Sequence, residues 1–196
     1  MRKHVQRLLT LGLLASAVPL AQAAPTQVFC PNTEITTDRE FSVTTDPGTA
    51  TCLASGTGNI SGNGDAINAL GYVTLDKSDD ATSGLFPNAL TGASNGSPSG
   101  LTKGTNGTFS FTAPSGFFDF VVGFKSGEGR LDPDWVAFLL PAGVRSGSWT
   151  ISGQQELSHV NLYAKRGDPR QSVPEPSTLV TVALGLALLR RAARRG

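Results

Sequence analysis

A chain of 196 residues, of which 16% are charged, is long enough for one domain with short appendages. Its formal net charge of +1 is unevenly placed, because residues 24–173 hold nine Lys and Arg against fourteen Asp and Glu, a net charge of −5. An acidic body repels phosphate backbones, which argues against nucleic acid as a partner.

Residues 1–23 predict a secretory signal peptide. A basic start, "MRKHVQR", precedes the apolar run "LLTLGLLASAVPL" and the small residues Ala21 and Ala23. This order of basic segment, apolar segment and A-x-A site is typical of signal peptides. Cleavage after Ala23 is preferred, because cleavage after Ala24 would place Gln22 at the third position before the cut. An uncleaved membrane anchor is the alternative.

The two cysteines, Cys30 and Cys52, both lie in the part of the chain that would be exported. Thiols oxidise by default outside the cytoplasm, so we expect a disulfide between them. Closing a loop of this length would stabilise the fold by about 3 kcal/mol in the chain-entropy description. Two buried thiols are the alternative, because a sequence does not contain the geometry that a disulfide needs.

Residues 24–172 are predicted to form one all-β domain. Short runs of β-forming residues alternate with Gly, Ser, Asn and Pro clusters, and no stretch keeps a helical period. Strands are expected at 27–30, 40–45, 49–54, 71–76, 108–112, 117–125, 135–140, 148–152 and 158–164. This pattern favours a two-sheet antiparallel sandwich, of which a jelly roll is one form. The sandwich would lie between the signal peptide and a short C-terminal hydrophobic helix.

Alternation and composition assign faces and loops within this domain. In "FFDFVVGFK" one face by period two holds Phe118, Phe120, Val122 and Phe124. In "SWTIS" Trp149 lies opposite to the hydroxyl residues. "WVAFLL" is apolar on both faces and predicts a central strand that is covered on both sides. Residues 55–65 and 91–107 are predicted as loops, and 66–70 as one helical turn.

The segment "SGEGRLDPDW" places three carboxylates, Glu128, Asp132 and Asp134, between two strong strands. Carboxylate oxygens on a Gly-flanked loop suit Ca²⁺, so a calcium site is one interpretation. A solvated acidic turn is preferred, because the spacing matches no defined calcium loop. We therefore expect no cofactor, with calcium here as the alternative, and a hydrolase built on these carboxylates is a further hypothesis.

After removal of the signal peptide, His159 is the one remaining histidine. It adjoins Ser158, but neighbours on a strand point to opposite faces, which disfavours a nucleophile and base pair. His159 shares its face with Asn161 and Tyr163. We expect a polar residue on an outer or edge face that makes a structural hydrogen bond, with a general base or metal ligand as the alternative. No catalytic residue is assigned.

Four aromatic residues offer a carbohydrate-stacking hypothesis: Tyr72, Trp135, Trp149 and Tyr163. Exposed rings on one surface would make the domain a carbohydrate-binding module. The alternation around Trp149 favours a place in the core instead. Ice binding requires a flat Thr-rich array, and the one short run found, "TAT" at 49–51, stands alone.

The C-terminal residues 173–196 combine three unlike elements. The first is the "VPEP" segment, Val173, Pro174, Glu175 and Pro176, which we expect to be extended. An uncharged run follows and reaches Leu189. As a helix this run would span about 20 Å, which is short for a bilayer. Four arginines follow and would remain on the cytoplasmic side: Arg190, Arg191, Arg194 and Arg195.

This tail resembles the PEP-CTERM sorting signal of exported proteins of Gram-negative bacteria. The resemblance implies recognition by an exosortase-type membrane protease, transient anchoring in the inner membrane, and removal of the tail. It also implies a cell-surface or extracellular-matrix location, with exopolysaccharide and biofilm nearby. The ending "SHVNLYA" before the tail is similar to the bodies of many PEP-CTERM proteins.

The preferred hypothesis is thus an exported, non-enzymatic surface or matrix protein, whose sandwich presents loops to polysaccharide or to neighbouring proteins. A carbohydrate-binding module is the first alternative, and an ice-binding or hydrolytic sandwich the second.

Overall fold

The computed structural model describes residues 26–30, 39–127, 131–153 and 155–167. These residues form ten strands and one helical turn, α1 (Ala66–Ala69). The strands are β1 (Thr26–Cys30), β2 (Phe41–Thr45), β3 (Thr51–Gly56), β4 (Val73–Lys77), β5 (Leu90–Ser94), β6 (Asn106–Phe111), β7 (Phe117–Ser126), β8 (Trp135–Leu139), β9 (Ser146–Ile151) and β10 (Leu157–Arg166).

The strands form two five-stranded sheets. Sheet A has the order β1-β2-β9-β6-β5 and sheet B the order β3-β8-β7-β10-β4. All their pairings are antiparallel. The predicted all-β, two-sheet antiparallel sandwich is therefore confirmed, and each of the nine expected strands appears.

The prediction of a loop over residues 91–107 was wrong at both of its ends. Residues 90–94 form the edge strand β5, paired with β6 in the register Leu90↔Phe111, and β6 itself begins at Asn106. The segment "LTGAS" has too few β-branched or aromatic residues to predict a strand. Position 92 has no room for a side chain, because a Cβ on Gly92 would lie 2.2 Å from the Thr108 carbonyl oxygen.

The main core lies between the two sheets. Phe120, Val122 and Phe124 of β7 belong to this core as alternation predicts, together with Trp149 of β9. The same prediction was wrong for Phe118, because Asp119 has a positive φ of 51° that interrupts the strand's alternation, and Phe117 packs against the core instead. Strand β8 is buried on both faces, because Val136 and Phe138 face the main core while Trp135 and Ala137 face a second cluster. The expectation of a doubly covered strand is thus confirmed.

The outer faces of the two sheets differ. The chain between β3 and β4, which includes α1, covers sheet B and buries Ile60 and Ile67 against Val121 and Tyr163. Sheet A instead exposes alternate residues of β6 and β9, whose burial patterns are the same. Sheet B therefore carries most of the buried polar side chains, although Ser42, Thr45 and Ser94 of sheet A are buried too.

The disulfide between Cys30 and Cys52 is formed, with Cα atoms 5.0 Å apart. It connects β1, an edge of sheet A, to β3, an edge of sheet B. The predicted disulfide is confirmed, and it links the two sheets covalently.

The predicted signal peptide, with Ala21, Ala23 and Ala24, and the predicted tail, residues 173–196, lie outside the described residues. Within the described part of the chain, no helix has the length and apolarity to cross a bilayer.

Candidate functional site

A row of polar side chains lies on the outer face of sheet B. Alternation along β10 places His159, Asn161 and Tyr163 on that face, and all three are buried. The carbonyl oxygen of Ile60, in the covering segment, accepts hydrogen bonds from His159 Nε2 at 2.9 Å and from Asn161 Nδ2 at 2.8 Å. The expected structural hydrogen bond of His159 is confirmed, but the outer face is covered rather than open to solvent.

Asp65 connects this row to α1. Its Oδ2 accepts a hydrogen bond from the Tyr163 hydroxyl at 2.8 Å, and its Oδ1 accepts from the backbone of Ile67 and Asn68. Asp65 is thus the N-cap of α1 in a capping box with Asn68. Burial, with the nearby Asp65 charge, raises the pKa of Tyr163, so the phenol keeps its proton and donates it.

Gly123 of β7 makes room for the covering segment. A Cβ at this position would lie 2.9 Å from Ile60 Cδ1 and 3.1 Å from Tyr163 Cε2. The absence of a side chain on β7 therefore lets Ile60 approach the sheet closely enough to bond to β10.

An open cleft of about 340 Å³ lies beside His159. The ionisable residues that line it are Lys77, Asp79, Lys125 and His159. Asp79 lies 3.2 Å from Lys77 Nζ and 3.6 Å from His159 Nδ1. Ser158 Oγ also approaches Nδ1, at 3.4 Å. A catalytic triad needs the acid and the nucleophile on different ring nitrogens, but here both meet Nδ1 while Nε2 is bonded to Ile60.

The stability of the fold is expected to fall as the pH drops from 7.5 to 5.5, because of His159. Burial lowers the pKa of His159, although the Ile60 carbonyl and Asp79 oppose this, and Lys77 and Lys125 add to it. The unfolded chain takes up its proton near pH 6.5, whereas the folded chain resists it until a lower pH. The contribution is therefore complete above pH 6.5 and is lost as the pH falls toward the folded pKa.

Urea unfolding at the two pH values would measure this loss. His159→Gln is the matched variant, because a glutamine amide retains a donor for the Ile60 carbonyl. Between pH 7.5 and 5.5, the urea concentration at the unfolding midpoint should fall less in the variant than in the wild type. Equal losses in the two proteins would contradict the assignment to His159.

The acidic loop contains one member of a buried ion pair. Asp134 Oδ1 lies 3.9 Å from Nη1 of Arg39, a side chain with no exposed surface, and Asp134 Oδ2 accepts from the Gly58 amide at 2.7 Å. Asp132 contributes its carbonyl, which accepts from the Arg39 amide. Glu128 lies outside the described residues.

No group of three or more metal-ligating side chains is gathered in the part of the chain that the structure describes. The charge of Arg39 already faces Asp134. The calcium interpretation of Glu128, Asp132 and Asp134 stays a prediction.

The four aromatic residues do not form an exposed platform. Trp149 belongs to the main core, and Tyr72, Trp135 and Tyr163 belong to the second cluster. None is more than 6% exposed. The preferred core interpretation of Trp149 is confirmed, and sugar stacking on these rings has no surface to use.

Sequence reasoning missed Arg39, Asp65 and Asp79 as members of polar clusters. Asp65 carried a readable signal, because an Asp followed three residues later by Asn before a helical turn indicates a cap. Arg39 carried none, since its partner Asp134 is distant in the sequence. Asp79 is two residues from Lys77, but nothing local indicates that it approaches His159 on β10. Comparison of the chain with protein-family models, curated proteins and solved structures finds no match.

Proposed function

We propose that this chain is an exported, non-enzymatic protein of the cell surface or extracellular matrix, sorted through its C-terminal segment. The observation that carries the proposal is the order of elements in residues 173–196: "VPEP", an uncharged run and four arginines. A signal peptide would send the body across the inner membrane, and the arginines would keep the end of the chain inside.

Two features of the domain support export. The disulfide between Cys30 and Cys52 is of the kind that persists in oxidising compartments. The net charge of −5 on residues 24–173 favours solubility and disfavours nucleic acid as a partner. The partners of this proposal are an exosortase-type membrane protease and, after sorting, exopolysaccharide.

The geometry around His159 supports a non-enzymatic role. One ring nitrogen is bonded to the Ile60 carbonyl, and the other faces Asp79 and Ser158 together. A histidine held in this way stabilises the covering segment and is poorly placed to move protons between an acid and a nucleophile.

Mass spectrometry of the protein from its native host is the test. We expect a mature N-terminus at Ala24, an oxidised Cys30–Cys52 pair, and a C-terminus that lacks the arginine cluster. Replacing Pro174, Glu175 and Pro176 with alanine should leave the tail in place and shift most of the protein to the membrane fraction.

Pro169→Ala, outside the motif, is the matched control and should be processed as the wild type is. Recovery of the unprocessed chain from the cytosol of the native host, with Met1 and Gly196 both present, would overturn the proposal.

A further inference from the structure

The outer face of sheet A is an exposed array of hydroxyl groups. Along β6 and β9 the inward positions are filled by residues such as Phe109 and Trp149, and the outward positions are exposed. With the neighbouring edge strand β5, the outward positions present these hydroxyl residues: Thr91, Thr108, Ser110, Ser146, Ser148 and Thr150. We name this set the hydroxyl face.

The strand register orders the hydroxyl face into rows. Thr91 pairs with Ser110, which pairs with Ser146, and these three residues form one row across three strands. Thr108 pairs with Ser148 in the next row, and Thr150 lies in a third. Such rows are about 7 Å apart along the strands, and neighbours within a row are about 5 Å apart.

The central hydroxyls are directed to solvent. Thr91 and Ser110 bond to each other at 2.9 Å at the margin of the array. Within the described residues, the hydroxyls of Thr108, Ser146 and Ser148 have no hydrogen-bond partner. Each of these groups is therefore available both to donate and to accept.

The strands of sheet A carry no charged side chains. None of the five strands of sheet A contains Lys, Arg, Asp or Glu, whereas β4, β7 and β10 of sheet B contain six such residues. A domain with a net charge of −5 thus presents one face that is polar but uncharged. An anionic or cationic partner finds no counter-charge on it, and an ion buried against it would remain unpaired.

The composition of the hydroxyl face also disfavours a protein partner. Protein interfaces are enriched in aromatic residues, Met and Arg and are depleted in Ser. The large exposed hydrophobic side chains of the described residues, Leu70, Leu85 and Phe86, lie outside the strands of sheet A. A partner that matches the face must itself be uncharged and carry many groups that both donate and accept hydrogen bonds.

We propose that the hydroxyl face binds neutral polysaccharide, through hydrogen bonds between its serine and threonine hydroxyls and those of the sugar chain. The inference rests on the proposed function, which supplies polysaccharide as the environment of the protein. Each hydrogen bond replaces one with water, so a single one changes the affinity only several-fold. Affinity comes from several rows meeting successive sugars of one polymer, and not from aromatic stacking. The sheet, rather than the loops, is then the contact surface.

The test measures binding of the protein, as isolated from its host, to microcrystalline cellulose and a soluble mixed-linkage glucan, with anionic alginate for comparison. We expect binding to at least one neutral polymer, little binding to alginate, and little change when salt is raised. Thr108→Val removes one central hydroxyl at nearly constant shape and should weaken binding several-fold. Thr108→Lys together with Ser148→Lys should weaken it at least ten-fold.

Thr51→Lys is the matched control, because Thr51 is an exposed threonine on β3 of sheet B. It should bind as the wild type does, and circular dichroism should show that every variant is folded. Absence of binding to both neutral polymers, equal binding by the double lysine variant, or shaping of ice crystals without polysaccharide binding would each overturn the inference. Tail processing is measured separately, so a correctly processed protein that does not bind would refute the inference and leave the proposed function standing.

Discussion

Replacing Arg39 with methionine is expected to lower the free energy of unfolding by about 3–5 kcal/mol, the range observed when one partner of a buried ion pair is removed. The guanidinium is fully buried and faces Asp134, which is itself 6% exposed. Without Arg39, the carboxylate would remain buried without a counter-charge. Urea unfolding of the variant and the wild type at pH 7.5 measures the loss.

The position of Arg39 explains why the effect should be global. Arg39 precedes β2 of sheet A, and its Nη1 donates to the Pro133 carbonyl at 3.1 Å and to the Gly127 carbonyl at 3.4 Å, in the connection between β7 and β8 of sheet B. Its Nη2 donates to Gln155, just before β10. Burial lowers the pKa of Arg39, while Asp134 and Asp132 oppose that shift and support the charged form.

A double-mutant cycle separates the ion pair from the other contacts. Asp134→Asn removes the charge and retains an oxygen for the Gly58 amide, so Arg39→Met combined with Asp134→Asn should cost less than the sum of the single variants. Arg145→Met is the comparison, because Arg145 is partly exposed over the Phe120 ring at 4.4 Å and should cost only about 0.5–1 kcal/mol. A loss below 1 kcal/mol for Arg39→Met, or strict additivity, would contradict the prediction.

Most strands could be predicted from the sequence, because the alternation of apolar and polar residues that indicates a strand is local. Trp149 alternates with hydroxyl residues and is buried as that period requires. β5 was not predicted, because it contains one β-branched residue, Thr91, and no aromatic residue, and its pairing with β6 decides its conformation. A weak edge strand of this kind is set by its neighbour and not by its own propensity.

The polar clusters were much less readable. The side of β10 that carries His159 followed from alternation, but its partner Ile60 is 99 residues away in the chain. Nothing in the sequence around Arg39 indicates that it is buried, because its burial depends on the connection between β7 and β8. The hydroxyl face was not predicted, because its rows are assembled from separate strands and no contiguous threonine run marks them in the sequence.

Removal of the disulfide is expected to cost about 3 kcal/mol and, at roughly 2–4 °C per kcal/mol, to lower the melting temperature by about 6–12 °C. The bonded cysteines are 22 residues apart, so the cross-link restricts a sizeable loop of the unfolded chain. Comparing oxidised wild type with reduced wild type keeps every other side chain constant. The variant Cys30→Ala with Cys52→Ala checks the same loss without a reductant.

The slope of the free energy of unfolding against urea concentration shows whether the disulfide acts mainly on the unfolded state or on the folded state. If the cross-link works mainly by compacting the unfolded state, its removal exposes more surface on unfolding, and the denaturant slope should rise as the midpoint falls. The folded state should change locally, because within the described part of the chain β1 is an edge strand of sheet A that pairs with β2, and the disulfide connects this edge to β3 of the opposite sheet. Hydrogen exchange of residues 26–30 should therefore accelerate more than that of β9 in the sheet interior. An unchanged midpoint on reduction, or uniform exchange across sheet A, would show that the two edges hold together without the bond.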